Sequence, residues 1–231
     1  MSAAVANIAH RGASRDAPEN TLAAFRLAVH QRADMIETDL HLSRDGQVPL
    51  YHDSTLAGRP VAELSLAEIR ARHAGVPTLE EAFDAVGAEI PFNLELKALP
   101  DDRTPYRGLE ERVLAEIHRR GWLARTLFSS FYDPALARLR ELEPAARIGL
   151  LVSGRSAARM LDRAAQLRAE AIHPARSLVR EEVVAEIHRA GLRVNVFTVD
   201  DPDDQRRLVD WGVDGIFTNV PAQLRGILDA R

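Results

Sequence analysis

The sequence predicts one (β/α)8 barrel, and three observations predict it. Eight short β-rich runs recur from end to end, amphipathic helical stretches separate them, and the chain of 231 residues has the length at which such barrels of about 200 to 250 residues fold as one domain. Alternating strand and helix signals of this kind call for a parallel sheet with crossover helices. A doubly wound open sheet shares the alternation, but eight units in this length favour closure. The expectation is therefore a single domain over residues 1–231, α/β in class.

The runs are VANIAH, MIETDL, FNLELK, TLFSSF, RIGLLV, AEAIHP, RVNVFTV and DGIFTN. Between the second and third lies HLSRDGQVPLYHD, in which Asp45-Gly46 reads as a turn between two extended pieces. This predicts a β-hairpin extension of the second strand that ends at His52. Residues 53–77 then form an excursion before the next helix, expected as a short flap at the barrel mouth. Helix boundaries carry their own chemistry. Thr78 and Glu81 in TLEE have capping-box spacing, in which hydroxyl and carboxylate take up free amides of the first turn. Asp133-Pro134 and Asp201-Pro202 read as N-cap and first helical residue, and Gly121 and Gly191 as left-handed helix ends.

Composition narrows the function. Hydrophobic residues are 46% and charged residues 28%, ordinary globular usage. A net charge of −4 gives no footing for a nucleic-acid partner. No apolar run approaches the ~20 residues of a membrane span, and MSAAVANIAHRG lacks the charged start and apolar core of a signal peptide. With no cysteine, thiolate and disulfide chemistry are excluded. A cytoplasmic protein without stable membrane insertion is the expectation.

Active sites of these barrels gather at the C-terminal ends of the strands. There the first run ends in His10-Arg11-Gly12, and the hairpin return ends in His52-Asp53. Strand period puts residues i and i+2 on one face, so Glu37 and Asp39 point together, as do Asn93, Glu95 and Lys97. If those faces are inward, three carboxylates converge. Two carboxylates about 5 Å apart repel by roughly 3 kcal/mol at an effective dielectric of about 20. A divalent cation removes that cost, and an all-oxygen ligand set calls for a hard ion, Mg2+ or Ca2+. Such an ion polarises a phosphoryl oxygen, and two histidines flanking a phosphodiester can serve as acid and base. Lys97 is the single lysine among 30 Lys and Arg residues. A compact ammonium fits beside a cation and a phosphate oxygen where the guanidinium fork does not.

The segments AHRGAS, APENTLAAF, IETDLHLSRDGQVPLYHD, PTLEEAF, NLELK, NVFTVD and GVDGIFTNVP, in this order and spacing, resemble the glycerophosphodiester phosphodiesterase family across nearly the whole chain. The resemblance implies hydrolysis of a small-molecule glycerophosphodiester to glycerol 3-phosphate and an alcohol, with one divalent cation. Carried over by motif, His10 and His52 become acid and base, and Arg11 a phosphate ligand. Glu37, Asp39 and Glu95 become metal ligands, Lys97 a charge partner near metal and phosphate, and Phe197 an apolar substrate wall. Glu19 and Asn20 are expected to cap the following helix and brace the site, His173-Pro174 to sit at the barrel mouth, and Ser129 and Ser130 to touch phosphate or backbone. His30, His41, His73, His118 and His188 read as surface or packing residues. One departure is STLAGRPVAELS, shorter than the D-R-T-T-N-G-like segment of many members. The competing functions are a lysophospholipase D-like activity, a Schiff-base lyase built on Lys97, and a non-catalytic binder of phosphorylated ligands.

Overall fold

Each of the eight runs is rich in β-branched and aliphatic side chains and is buried on both faces, which suits parallel strands walled by helices. In the computed structural model, which describes residues 5–99, 106–154 and 159–231, they form β1 (Ala6–His10), β2 (Met35–Leu40), β5 (Phe92–Leu96), β6 (Thr126–Ser130), β7 (Arg147–Val152), β8 (Ala171–Pro174), β9 (Arg193–Val196) and β10 (Gly215–Thr218). All pair in parallel, and β1 closes on both β2 and β10. The predicted (β/α)8 barrel is the observed one.

Helices α1 (Leu22–His30), α3 (Leu79–Ala82), α4 (Leu109–Arg120), α5 (Asp133–Leu142), α6 (Met160–Leu167), α7 (Glu181–Arg189), α8 (Pro202–Asp210) and α9 (Pro221–Asp229) form the outer ring. In α4 the apolar Leu109, Val113, Leu114 and Ile117 recur at helical spacing and are buried, while Glu110 and Glu111 begin the helix and His118, Arg119 and Arg120 end it. Those signs oppose the helix dipole. Gly121 closes α4 at φ 68°, in the left-handed region where a Cβ is penalised.

Capping follows the sequence in part. Thr78 and Glu81 form the expected capping box, and the Asp201 carboxylate accepts from Asp203 N and Asp204 N ahead of Pro202. Gly191 takes φ 77° one residue beyond the cap of α7. Asp133 differs: Tyr132 is the cap residue of α5, and Asp133 lies inside the helix with its carboxylate on Arg163. A guanidinium offering two hydrogen bonds outcompetes the first-turn amides. Glu19 and Asn20 do not cap α1 either. Thr21 does, accepting from Ala24 N, because Asn20 is turned to φ 54° and points into the barrel.

After β2 the chain makes the expected hairpin turn, with His41 N bonded to Pro49 O, Ser43 N to Gln47 O, and Leu40 bridged to Leu50. The next segment has its own small core of Leu56, Val61, Leu64, Ile69 and Val76, with Tyr51 against it. A minor hairpin, β3 (Thr55–Leu56) with β4 (Arg59–Pro60), and α2 (Leu66–Arg72) carry that core. Ser65 and Glu68 cap α2 reciprocally, and Arg44 from the hairpin reaches Glu68. No helix among the described residues is long and apolar enough to cross a membrane.

Candidate active site

Register places the site. His10 lies beside Glu37 and Glu37 beside Asn93, while one pleat higher Asp39 lies beside Glu95 and Glu95 beside Ser129. Adjacent strands are about 4.8 Å apart, so inward side chains at one level must meet. Ligand oxygens of Glu37, Asp39 and Glu95 all lie within 4.8 Å of one another, and all three residues are buried.

Two cations answer this charge in the protein itself. Lys97 Nζ is 2.6 Å from Glu95 Oε1 and 2.8 Å from Asp39 Oδ1. Arg11 Nε is 3.2 Å from Asp39 Oδ2, and its Nη1 donates to both oxygens of Glu19 at 3.0 Å. The turn at Arg11, with φ 57°, also aims its backbone N at Glu37 Oε2, 3.0 Å away. Asn20 finishes the set. It accepts from Thr38 Oγ1 at 2.7 Å and donates to Asp39 Oδ2 at 2.8 Å. Glu19 and Asn20 thus brace the site by holding Arg11 and Asp39.

The titration directions follow. Burial, then repulsion from Asp39 and Glu95, raises Glu37 well above the usual carboxylate range. Burial also raises Glu95, only partly offset by Lys97. Asp39 goes the other way: burial opposes its charge, but Lys97 and Arg11 outweigh it and hold it ionised. Burial opposes the Lys97 ammonium as well, and Asp39 with Glu95 overcomes it, so Lys97 stays charged. Three carboxylates face two cations, and Glu37 and Glu95 hold on to protons that they would surrender to a divalent cation, while Asp39 is already ionised. Converging oxygen donors with raised proton affinity fit a hard divalent ion.

Both predicted histidines line the same cavity of about 210 Å3, with Arg11, Glu37, Asn93, Glu95 and Lys97. Phe131, Leu151, Phe197 and Phe217 make its apolar side. Phe131, 40% exposed, meets Phe197 edge-on at 5.6 Å. A second cavity of about 400 Å3 shares His52, Glu95, Lys97 and Phe131 and adds Asp53, Ser54 and Tyr132. From residues 53–77 only Asp53 and Ser54 reach these two cavities.

The two histidines are held differently. His10 is half-buried; its ring is largely withdrawn from water and lies beside Arg11, which lowers its pKa to about 4, and its Nδ1 is 2.7 Å from Asn219 Oδ1. The His52 side chain is 40% exposed, and its Nδ1 is 2.8 Å from Asp53 Oδ1.

Other residues behave more plainly. Ser129 Oγ accepts from Asn93 and lines the smaller cavity, whereas Ser130 Oγ donates to Leu96 O and accepts from Tyr132 N. His173 is not at the mouth. It is buried inside the barrel, where its Nε2 accepts from Asn195 Nδ2 at 3.1 Å and its ring covers Gly149. A Cβ on Gly149 would stand 2.3 Å from that ring. His41 is a packing residue as expected, buried with Nδ1 2.6 Å from the Tyr106 hydroxyl, while His30 and His73 are exposed and His118 and His188 pair with Glu143 and Asp214 at the surface. Sequence reasoning passed over Phe131 and Asn219. Their positions, each directly after a strand that ends in serine or threonine, were the available sign.

Comparison with known proteins matches the chain to one family and to the same barrel fold. Residues 10–223 match the model of the glycerophosphoryl diester phosphodiesterase family. A glycerophosphodiester phosphodiesterase of Caldanaerobacter subterraneus subsp. tengcongensis is 32% identical over 234 residues, 94% of this chain and 95% of that protein. Among solved structures, an Oleispira antarctica phosphodiesterase in complex with the product sn-glycerol-3-phosphate superimposes with a TM-score of 0.83 at 31% identity, covering 99% of this chain and 97% of that one. A glycerophosphodiester phosphodiesterase of Agrobacterium tumefaciens gives 0.80 at 27% identity, covering 95% and 98%.

Proposed function

The chain belongs to the glycerophosphoryl diester phosphodiesterase family, and from that premise we propose that it hydrolyses glycerophosphodiesters to glycerol 3-phosphate and an alcohol with one divalent cation, Mg2+ or Ca2+, and a His10/His52 acid–base pair. The observation that carries this reading is the meeting of Glu37, Asp39 and Glu95 within 4.8 Å beside the cavity that both histidines line.

Glu37, Asp39 and Glu95 would hold the cation, which when bound offsets charge on a phosphoryl oxygen. Arg11 and Lys97 attract the phosphate and orient it. One histidine takes the proton of the attacking hydroxyl and the other returns a proton to the leaving alcohol. Phe197 with Phe131, Leu151 and Phe217 forms a dry wall that strengthens these charges. Lys97, held protonated between two carboxylates, is unsuited to Schiff-base formation, which needs a free amine. The exposed Phe131 at the rim favours one second reading, a lysophospholipid substrate.

The test is release of glycerol 3-phosphate from glycerophosphocholine and glycerophosphoethanolamine by protein stripped with chelator, then resupplied with Mg2+ or Ca2+. Turnover that returns with the ion supports the reading, and turnover indifferent to chelation overturns the cation. Faster choline release from lysophosphatidylcholine would move the substrate to the second reading.

A further inference from the structure

The two histidines of that pair are chemically unlike until something sets which nitrogen of each carries the proton. Neutral imidazole bears its hydrogen on Nδ1 or Nε2, and only the other nitrogen can accept. At His10 the neighbour of Nδ1 is Asn219 Oδ1, 2.7 Å away. An amide oxygen accepts and an amide nitrogen donates, so everything depends on which way the Asn219 amide faces.

Asp200 decides that. Its Oδ2 lies 2.7 Å from Asn219 Nδ2 and its Oδ1 2.8 Å from Asn219 N. A carboxylate accepts, so the NH2 must face Asp200 and the oxygen must face His10. Asp200 is itself held, since Thr218 Oγ1 donates to it at 3.1 Å and in turn accepts from the buried Gln205, which also bonds Val199 O. Ser14 Oγ lies 2.7 Å from Asn219 Oδ1 and 2.8 Å from His10 O, and because its one hydrogen can serve His10 O while its oxygen accepts, Asp200 alone orients the amide. A flipped amide would leave the Asp200 oxygen facing another oxygen.

We propose that Asp200 and Asn219 are positioning residues for the reaction: they hold His10 with its proton on Nδ1, so that Nε2 faces the cavity as the first general base and His52 serves as the acid. Proton balance is simple. Nε2 takes the proton of the attacking hydroxyl, His10 becomes imidazolium with Nδ1–H still on Asn219, and His52 passes a proton to the leaving alkoxide. Nε2 of His10 has no protein partner among the described residues, as a base awaiting substrate requires. At His52 the Nδ1 neighbour is the Asp53 carboxylate, 2.8 Å away, an acceptor that fixes a hydrogen on Nδ1 and leaves Nε2 to serve the leaving alcohol. The inference rests on the His10/His52 reading given above.

The experiment is a long-range 1H–15N correlation spectrum of the ring nitrogens in the whole protein at neutral pH, paired with kinetics of Asp200→Asn and of the exchange variant Asp200→Asn/Asn219→Asp. The wild type should show His10 protonated on Nδ1. Asp200→Asn frees the amide to flip, so His10 becomes a mixture of tautomers and kcat falls about 10- to 100-fold while KM stays within about twofold. The exchange variant returns an accepting oxygen to position 219 and a donor to position 200, and should recover the Nδ1–H form and most of kcat. Wild-type His10 protonated on Nε2 overturns the proposal whether or not any variant folds. So does a fall in kcat without a tautomer change, or a tautomer change without loss of kcat. A wild type inactive on every diester would sink the functional reading, yet the spectrum would still decide the tautomer.

Discussion

The barrel interior treats buried polarity in two ways, and the contrast separates chemistry from packing. On β1, β2 and β5, Glu37, Asp39 and Glu95 crowd together with Lys97 and Arg11, and charge is retained at the cost of raised proton affinity in Glu37 and Glu95. Across the barrel, on β7, β8 and β9, His173 lies over Gly149 and bonds Asn195 alone among the described residues. Burial alone lowers its pKa to about 3, so it stays neutral. Both regions are buried and polar, but only the first holds an excess of negative charge that a ligand could relieve. Charge imbalance, rather than burial, marks the reactive half.

Removing one carboxylate is the strongest way to break that comparison. Glu37→Gln keeps the shape of a protonated glutamate, so the metal-free fold should be as stable as the wild type or more so. Activity should drop at least about 10^3-fold, since a cation contributes several kcal/mol to the transition state. Steady-state kinetics beside urea titrations read both effects, and an active Glu37→Gln enzyme contradicts the ligand role.

Lys97→Arg probes shape at constant charge. The guanidinium fork is too wide for the gap between Asp39 and Glu95, so the variant should fold and lose about 10- to 100-fold in kcat, as changes beside metal ligands do. Near-normal turnover would show that any cation serves there.

His173→Leu should do the opposite of Glu37→Gln. Activity should change less than about tenfold, while stability at pH 7.5 falls by about 1–3 kcal/mol because Asn195 loses its partner. The gap should then narrow in acid. An unfolded histidine titrates near 6.5 and His173 at about 3, so between these values the unfolded chain binds a proton that the folded one does not. Wild-type stability is therefore lost as pH falls below 6.5, by up to roughly 3 kcal/mol at pH 4, and the leucine variant escapes that loss. Urea midpoints from pH 7.5 to 4.5 test it, and a gap that does not change with pH refutes a neutral buried His173.

The eight strands and the inward set Glu37, Asp39 and Glu95 were legible in the sequence because strand period and apolar runs are local properties. What could not be read depends on closure. His10 and Asn219 are 209 positions apart and meet only because β10 pairs with β1. The left-handed turn at Asn20 sends its amide to Asp39 instead of the helix start, and Asp133 exchanges a cap for Arg163, which sequence order does not foretell. His173 looked like a mouth residue because it nearly ends its run, yet Gly149, 24 positions away, leaves the space that buries it.

Whether the carboxylate cluster is a cation site is tested most directly by titrating chelator-stripped protein with Mg2+ or Ca2+ in a calorimeter, in buffers of different ionisation enthalpy. Glu37 and Glu95 hold raised proton affinities, so one ion should bind with release of protons, more tightly as pH rises, and binding should vanish in Glu37→Gln. Absence of binding, binding without proton release, or unchanged binding in the variant would contradict a cation held by Glu37, Asp39 and Glu95.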